Sequence, residues 1–341
     1  MPDTVTIMTI IRTSPRVVVL TTGGTIASSP DDSGRNRSGA LKGDVLMSRV
    51  SLPEGTAIYV EVRSLLQKPS NAITRDDLMH LRQECLALAE SSDVTGIVIT
   101  HGTDTLEETA YFLDITLPAS PTIVLTGSQR APHEPGTDAF RNIADAVVVA
   151  ASDAARGLGT LVVFNQSIFS ARHVRKVSSF QVNGFAAPET GPLGYVDGAR
   201  VSVALRPARP EGLDLPIDAT LPRVDILPAY LDASPALLEA AVAGGAAGLV
   251  IDGLGRGHVP PDWLNAIPHI TEQGTPVAIV SSCPTGPVHA SYEFVGSLAS
   301  LEAAGVIAMP DLSARKARLA LSVLLASAKG EIVPALRTLT A

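Results

Sequence analysis

Hydroxyl, carboxylate and ammonium side chains gather where apolar runs of this sequence end. The stretch "VVVLTTGGTIASSP", Val17 to Pro30, places three threonines around two glycines. A second, "THGTDTLEETAYFLD", Thr100 to Asp114, adds His101, Thr103, Asp104 and Thr105, and a third, "NQSIFSARHVRK", brings Lys176. A threonine hydroxyl is a poor nucleophile until a neighbour accepts its proton and donors await the developing oxyanion. A lysine drawn out of water can give up its proton and act as that neighbour. Glycines beside the threonines let a substrate approach the bare backbone. These features point to an enzyme acting on a small polar ligand, with hydrolysis as the leading chemistry.

Other readings of the same motifs are weaker. A phosphate-binding P-loop needs GxxxxGK[ST], and "GGTIASS" has neither the second glycine nor the lysine. The run "VIDGLGRGHVPP", Val250 to Pro261, departs from the GxGxxG dinucleotide spacing. No GxSxG elbow or cysteine-nucleophile motif occurs. His101 has no partner serine or cysteine motif and reads as a structural hydrogen-bonding residue. Thr105 reads as a helix cap and Glu108 as an anion favouring the helix start. The basic run around Lys176 would ordinarily be a solvated face.

Short apolar runs ending in Gly, Thr or Ser alternate with helix-period segments at Thr74 to Glu90, Leu106 to Ile115 and Asp138 to Ala151, the pattern of βαβ units. The proline-rich "RPARPEGLDLPIDATLP", Arg206 to Pro222, shows neither period and reads as a linker. Alternation then resumes and closes with a helix from Ser313 to Ala328. The expected fold is two-domain α/β. A larger N-terminal domain, residues 1–205, carries a mostly parallel sheet flanked by helices, and the linker, 206–222, leads to a smaller C-terminal α/β domain, 223–341. In such open sheets ligands bind beyond the carboxyl ends of the strands, where the three polar clusters fall.

Composition narrows the partners. The 341 residues suit two cores, and 45% hydrophobic but 4% aromatic content with 28 Gly and 25 Pro suits α/β architecture. A net charge of -8 argues against nucleic acid or an anionic membrane as partner. Cys85 and Cys283 lack metal or CxxC spacing and read as core thiols. The stretch "MPDTVTIMTIIRTSPR" has no cationic region before its apolar part, and no run approaches a membrane span, so a cytoplasmic location is expected.

The pair "TGGTIA" and "THGTDTLEETAYFLD" resembles the two signature motifs of the bacterial-type L-asparaginase family, which includes glutaminase-asparaginases. "RHVRK", "GPLGY", "SSCPTG" and "ARKARLAL" extend the resemblance over nearly the whole chain. It implies hydrolysis of the L-asparagine side-chain amide, with weaker action on glutamine, and neither metal nor organic cofactor. It casts Thr25 as nucleophile on a mobile lid and Thr103, Lys176 and Asp104 as a second catalytic group. Ser70 is cast as the α-carboxylate ligand, Asp104 also as the α-amino ligand, and Asn71 as a further substrate contact. Glu293, seven residues after "PTG", matches a carboxylate given across a subunit contact, which implies a homodimer or homotetramer.

The chain departs from the family pattern in two places. No tyrosine occurs between Thr25 and Tyr59, where many members carry a lid tyrosine that activates the nucleophile; Ser38 stands near that position. Arg256 replaces an asparagine of the glycine loop. Two alternatives follow: a non-catalytic aspartate- or asparagine-binding regulatory protein that kept the cleft, and an amidase for a larger, tRNA-linked substrate, which the acidic chain disfavours.

Overall fold

The computed structural model describes residues 14–31, 33, 35–327 and 332–340. Residues 1–13, on which the reading of the N-terminal stretch falls, lie outside the described residues.

An eight-stranded sheet is built from β1 (Arg16–Gly23), β2 (Tyr59–Lys68), β3 (Val94–Thr100), β4 (Thr122–Thr126), β5 (Thr160–Phe164), β6 (Ser167–Ser170), β7 (Gly194–Asp197) and β8 (Arg200–Val203). Its order is β8-β7-β6-β5-β4-β3-β1-β2. The five strands β2, β1, β3, β4 and β5 pair in parallel, while β6, β7 and β8 join antiparallel. A second, all-parallel sheet follows: β9 (Val224–Pro228), β10 (Gly248–Gly253), β11 (Val277–Ser281) and β12 (Ile307–Ala308). This is the expected mixed α/β architecture, a large mostly parallel sheet followed by a smaller one.

The apolar runs are continuous because both faces of the parallel sheet are covered. In β1, Val17 and Val19 pack into one core with Ile26 and Val147, whereas Val18 and Leu20 face another with Tyr111 and Phe112. Helices α1 (Arg75–Ala89), α2 (Leu106–Thr116) and α3 (Ala139–Ala151) fall within a residue of the expected segments. The start of α1 is fixed by a capping box: Asp77 N–H donates to Thr74 Oγ1, and Thr74 N–H donates to Asp77 Oδ2. Helix α4 (Ala314–Ala326) joins the two sheets, since its Leu321 shares a core with Leu20 and Phe112 of the first and Val250 and Ala278 of the second.

Three expectations are corrected, and one segment gains detail. Thr105 holds the N-cap position of α2 without capping it; its hydroxyl donates to the Ser70 carbonyl at 2.9 Å. Cys283 is exposed, because it follows the end of β11, while Cys85 is buried in α1. The segment 206–222 has no helix or strand, and it is packed against the N-terminal unit. Arg209 Nη2 donates to the Leu117 carbonyl at 2.8 Å, and Arg82 Nη2 donates to the Leu215 carbonyl at 2.6 Å. Finally, a further helix, Ile332–Thr340, follows α4; the expected end at Ala328 falls outside the described residues.

Strand order reverses between β1 and β3, because β2 lies on the outer side of β1 and all later strands of the sheet lie beyond β3. That reversal opens a crevice at the carboxyl ends of β1 and β3. The two threonine motifs emerge there.

Candidate active site

The crevice is closed to backbone distance by glycine. After β1, Gly24 takes a left-handed conformation (φ 83°), and a Cβ built on it would stand 2.3 Å from Gly102 Cα. A Cβ on Gly102, which follows β3, would stand 2.8 Å from Ser70 Oγ. Only glycine fits either position, so the turns bearing Thr25, Thr103 and Ser70 meet at one point.

Hydroxyls on either side of Thr25 are occupied. Thr22 Oγ1 donates to the Thr100 carbonyl at 2.9 Å, and Ser28 Oγ donates to the Gly24 carbonyl at 3.0 Å. Thr25, in a short turn of helix and half-buried, uses its hydroxyl in no hydrogen bond among the described residues. The chain after Thr25 continues into a small hairpin, Ser29–Pro30 with Asn36–Arg37, held by Asn36 Nδ2 donating to Glu134 Oε1 at 2.9 Å. Ser38 is half-buried in the turn that follows this hairpin.

Across the glycine contact, Lys176 Nζ donates to Thr103 Oγ1 and to Asp104 Oδ1, each at 2.7 Å. The lysine is not on a solvated face: its side chain is 15% exposed, and its own N–H donates to the buried carboxylate of Glu107 at 2.6 Å. Thr103 is buried, whereas the Asp104 side chain is 70% exposed. The three groups thus join a buried hydroxyl to an open carboxylate through one ammonium. Thr103 lies two residues before Thr105, the N-cap position of α2, and so stands near the positive end of that helix dipole.

His101 sits beneath this group, fully buried. Its Nδ1 donates to the Gly102 carbonyl at 2.7 Å, which leaves Nε2 to accept from Thr109 Oγ1 at 3.0 Å. Burial pushes its pKa down to about 4, although the Gly102 carbonyl opposes this. Between about pH 6.5 and 4 the unfolded chain takes up a proton there that the folded chain refuses. Stability is therefore expected to fall as pH drops through that window, by up to roughly 3 kcal/mol from this residue. Urea unfolding at stepped pH checks this, and His101→Gln should flatten the slope.

A cleft of about 600 Å³ opens between the two sheets, lined by Asp104, Glu107 and Lys176 on one side and Asp252, Ser281 and Arg315 on the other. Thr25, Ser70, Asn71 and Glu293 lie outside its lining. Ser70 is buried at the glycine contact, and Asn71, the next residue of the same short turn, is exposed. Glu293 is exposed on the C-terminal unit beside a ring cluster in which His258 stands 5.0 Å from Phe294 and 5.6 Å from Tyr292. Arg256 Nη1 donates to Ser291 Oγ at 3.0 Å within the same region. Arg315 and Lys316 border the site without having been singled out from sequence, and Glu107, which reads from sequence only as an anion at the helix start, accepts the Lys176 N–H instead. For Lys316 the signal was its place in "ARKARLAL" on the helix face of Ala320 and Val323.

Two family models match this chain, "Asparaginase, N-terminal" over residues 16–209 and "Glutaminase/Asparaginase C-terminal domain" over residues 223–332. The chain belongs to the asparaginase family. An L-asparaginase of Bacillus licheniformis is 43% identical over 314 residues, covering 92% of this chain and 96% of that protein. A probable L-asparaginase of Deinococcus radiodurans is 38% identical over 320 residues, covering 91% and 93%. Among solved structures, a probable cytoplasmic L-asparaginase from Campylobacter jejuni superposes with a TM-score of 0.85 at 28% identity, over 96% of this chain and 99% of that one. Asparaginase-family membership thus agrees with the motif pair at the β1–β3 crevice.

Proposed function

We propose that this asparaginase-family chain is an L-asparaginase, hydrolysing the side-chain amide of L-asparagine to L-aspartate and ammonia. The observation that carries the reading is the Thr103–Lys176–Asp104 contact, set one glycine-to-glycine contact away from an uncommitted Thr25 hydroxyl. Thr25 Oγ1 attacks the amide carbon, the C–N bond breaks and ammonia leaves with the threonine proton. Water then cleaves the resulting ester to aspartate. Thr103 and Lys176 hold the second water- or amide-facing hydroxyl, and the Thr103 N–H favours the oxyanion.

The substrate is a zwitterion, and the site meets each charge. Asp104 keeps its second carboxylate oxygen for the α-ammonium while Oδ1 holds Lys176. Ser70 and Asn71 take the α-carboxylate end. Glutamine differs by one methylene, which changes discrimination by about 1 to 3 kcal/mol, so a weaker glutaminase activity accompanies the main one. No metal or organic cofactor takes part.

Glu293 completes the α-ammonium site from a second copy of the chain. The exposed Tyr292, Phe294 and Val295 around it form the apolar face that such a contact would cover, which makes the protein a homodimer or homotetramer. Among the described residues no helix is long and apolar enough to cross a membrane, and the protein works in the cytoplasm. It divides into units 1–205 and 223–341 joined by 206–222, a division supported by one family match ending at residue 209, just inside that segment, and the other beginning at residue 223, just after it.

The test is ammonia release from L-asparagine, L-glutamine and D-asparagine. Release is expected to be fastest from L-asparagine; release from none of the three would overturn the reading.

A further inference from the structure

Helix α4 belongs to the C-terminal unit, yet its basic residues reach into the elements that hold the site. Arg315 Nη1 donates to the Asp104 carbonyl at 3.1 Å, and Arg318 Nη2 pairs with Glu108 of α2 at 2.9 Å. Between them Lys316 is 1% exposed. Its Nζ donates to the carbonyls of Arg172 at 2.8 Å and Val174 at 2.5 Å, four and two residues before Lys176. The Tyr111 ring centroid lies 6.0 Å from the same nitrogen.

We infer that Lys316 is a positioning residue for amide hydrolysis: by clamping the Arg172 and Val174 carbonyls it sets where Lys176 Nζ stands against Thr103 and Asp104. The segment is held from two sides. Glu107 receives the Lys176 N–H, and Lys316 receives nothing but gives two hydrogen bonds to the carbonyls upstream. Removing either hold frees the backbone that aims Lys176, and small misplacements of a reacting group carry large rate penalties.

A purely structural role explains this lysine poorly. Burying an amine is costly, and what offsets that cost here is two hydrogen bonds that fix the Arg172 and Val174 carbonyls, so the lysine is committed to the position of this segment. Burial pushes Lys316 down to about 7; Glu107 pulls it back up, Arg175 pushes it down, Asp114 pulls up and Arg172 pushes down. Either protonation state suffices, since an ammonium offers three N–H groups and an amine two, against two carbonyls.

The inference rests on the amide-hydrolysis reading, so ammonia release by the unaltered protein comes first, and its absence would count against that reading rather than this one. With an active parent, Lys316→Met is expected to lower kcat about thirty-fold and leave KM within about two-fold, with an unchanged circular dichroism spectrum. In a Lys176→Met background the same change should cost less than about two-fold more, because both act through one group. Lys316→Gln, one bond shorter but still a donor, should fall between parent and Met. Parent-level kcat in Lys316→Met, or losses that multiply independently in the double variant, would overturn the inference. Should Lys316→Met fail to fold, the same cycle is run with Lys316→Gln, for which parent-level kcat or independent losses are again the overturning results.

Discussion

Thr25→Ala is expected to lower kcat for ammonia release from L-asparagine roughly a thousand-fold or more, with the melting temperature within about 2 °C of the parent. The two halves of that expectation come from one observation. The Thr25 hydroxyl serves no hydrogen bond among the described residues, so its removal leaves no partner unsatisfied and should be nearly neutral for the fold. The same lack of internal duty leaves it for a substrate. Its neighbours behave oppositely: Thr22 and Ser28 close backbone carbonyls, and their loss should show as instability before it shows as slower chemistry. Aspartate binding by calorimetry separates the outcomes. A Thr25→Ala protein that still binds aspartate but no longer releases ammonia fits a nucleophile, whereas one with near-parent turnover would remove Thr25 from that role. Binding without turnover in the parent itself, unchanged by Thr25→Ala, would instead favour the non-catalytic binding protein.

What sequence made legible was mostly local and periodic. The β1 and β3 runs read as buried strands because both of their faces are covered, and the polar residues after them read as cleft residues because open parallel sheets bind ligands there. Helix α1 was legible to within a residue at each end, and the capping box that fixes its start lies within one turn of sequence, between Thr74 and Asp77. Long-range consequences were not legible. Nothing near Thr105 announces that its hydroxyl turns back to Ser70 rather than capping α2, because that choice is made by a turn 35 residues upstream. The packed state of 206–222 depends on Arg82 and Arg209 finding carbonyls from other elements. Lys316 reads as one more cation in a basic helix start until α4 docks and buries it against the Arg172–Lys176 segment. The site therefore divides in kind: its reactive groups lie in short motifs, and the groups that aim them come from tertiary packing.

That division makes Lys176→Met the sharper test of the second catalytic group. Methionine keeps most of the stem volume and deletes every donor, so Thr103 Oγ1 and Asp104 Oδ1 each lose the 2.7 Å contact at once. The Lys176 N–H to Glu107 is a backbone bond and survives the change. Because the Asp104 side chain is 70% exposed, its freed carboxylate is hydrated rather than stranded, and the lost ion pair should cost at most about 1 kcal/mol of stability. The chemical loss should be far larger, about a hundred- to a thousand-fold in kcat, the range seen when one oriented donor is taken from a reacting site. KM should move less than about five-fold, since Asp104 retains its charge for the substrate ammonium. Thr103→Val provides the matching arm: if Thr103 and Lys176 act as one unit, the double variant should be little worse than the poorer single one, as grouped catalytic residues are strongly non-additive. Independent losses that multiply would mean that Lys176 serves Asp104 and the substrate charge alone, and that the Thr103 hydroxyl works without it.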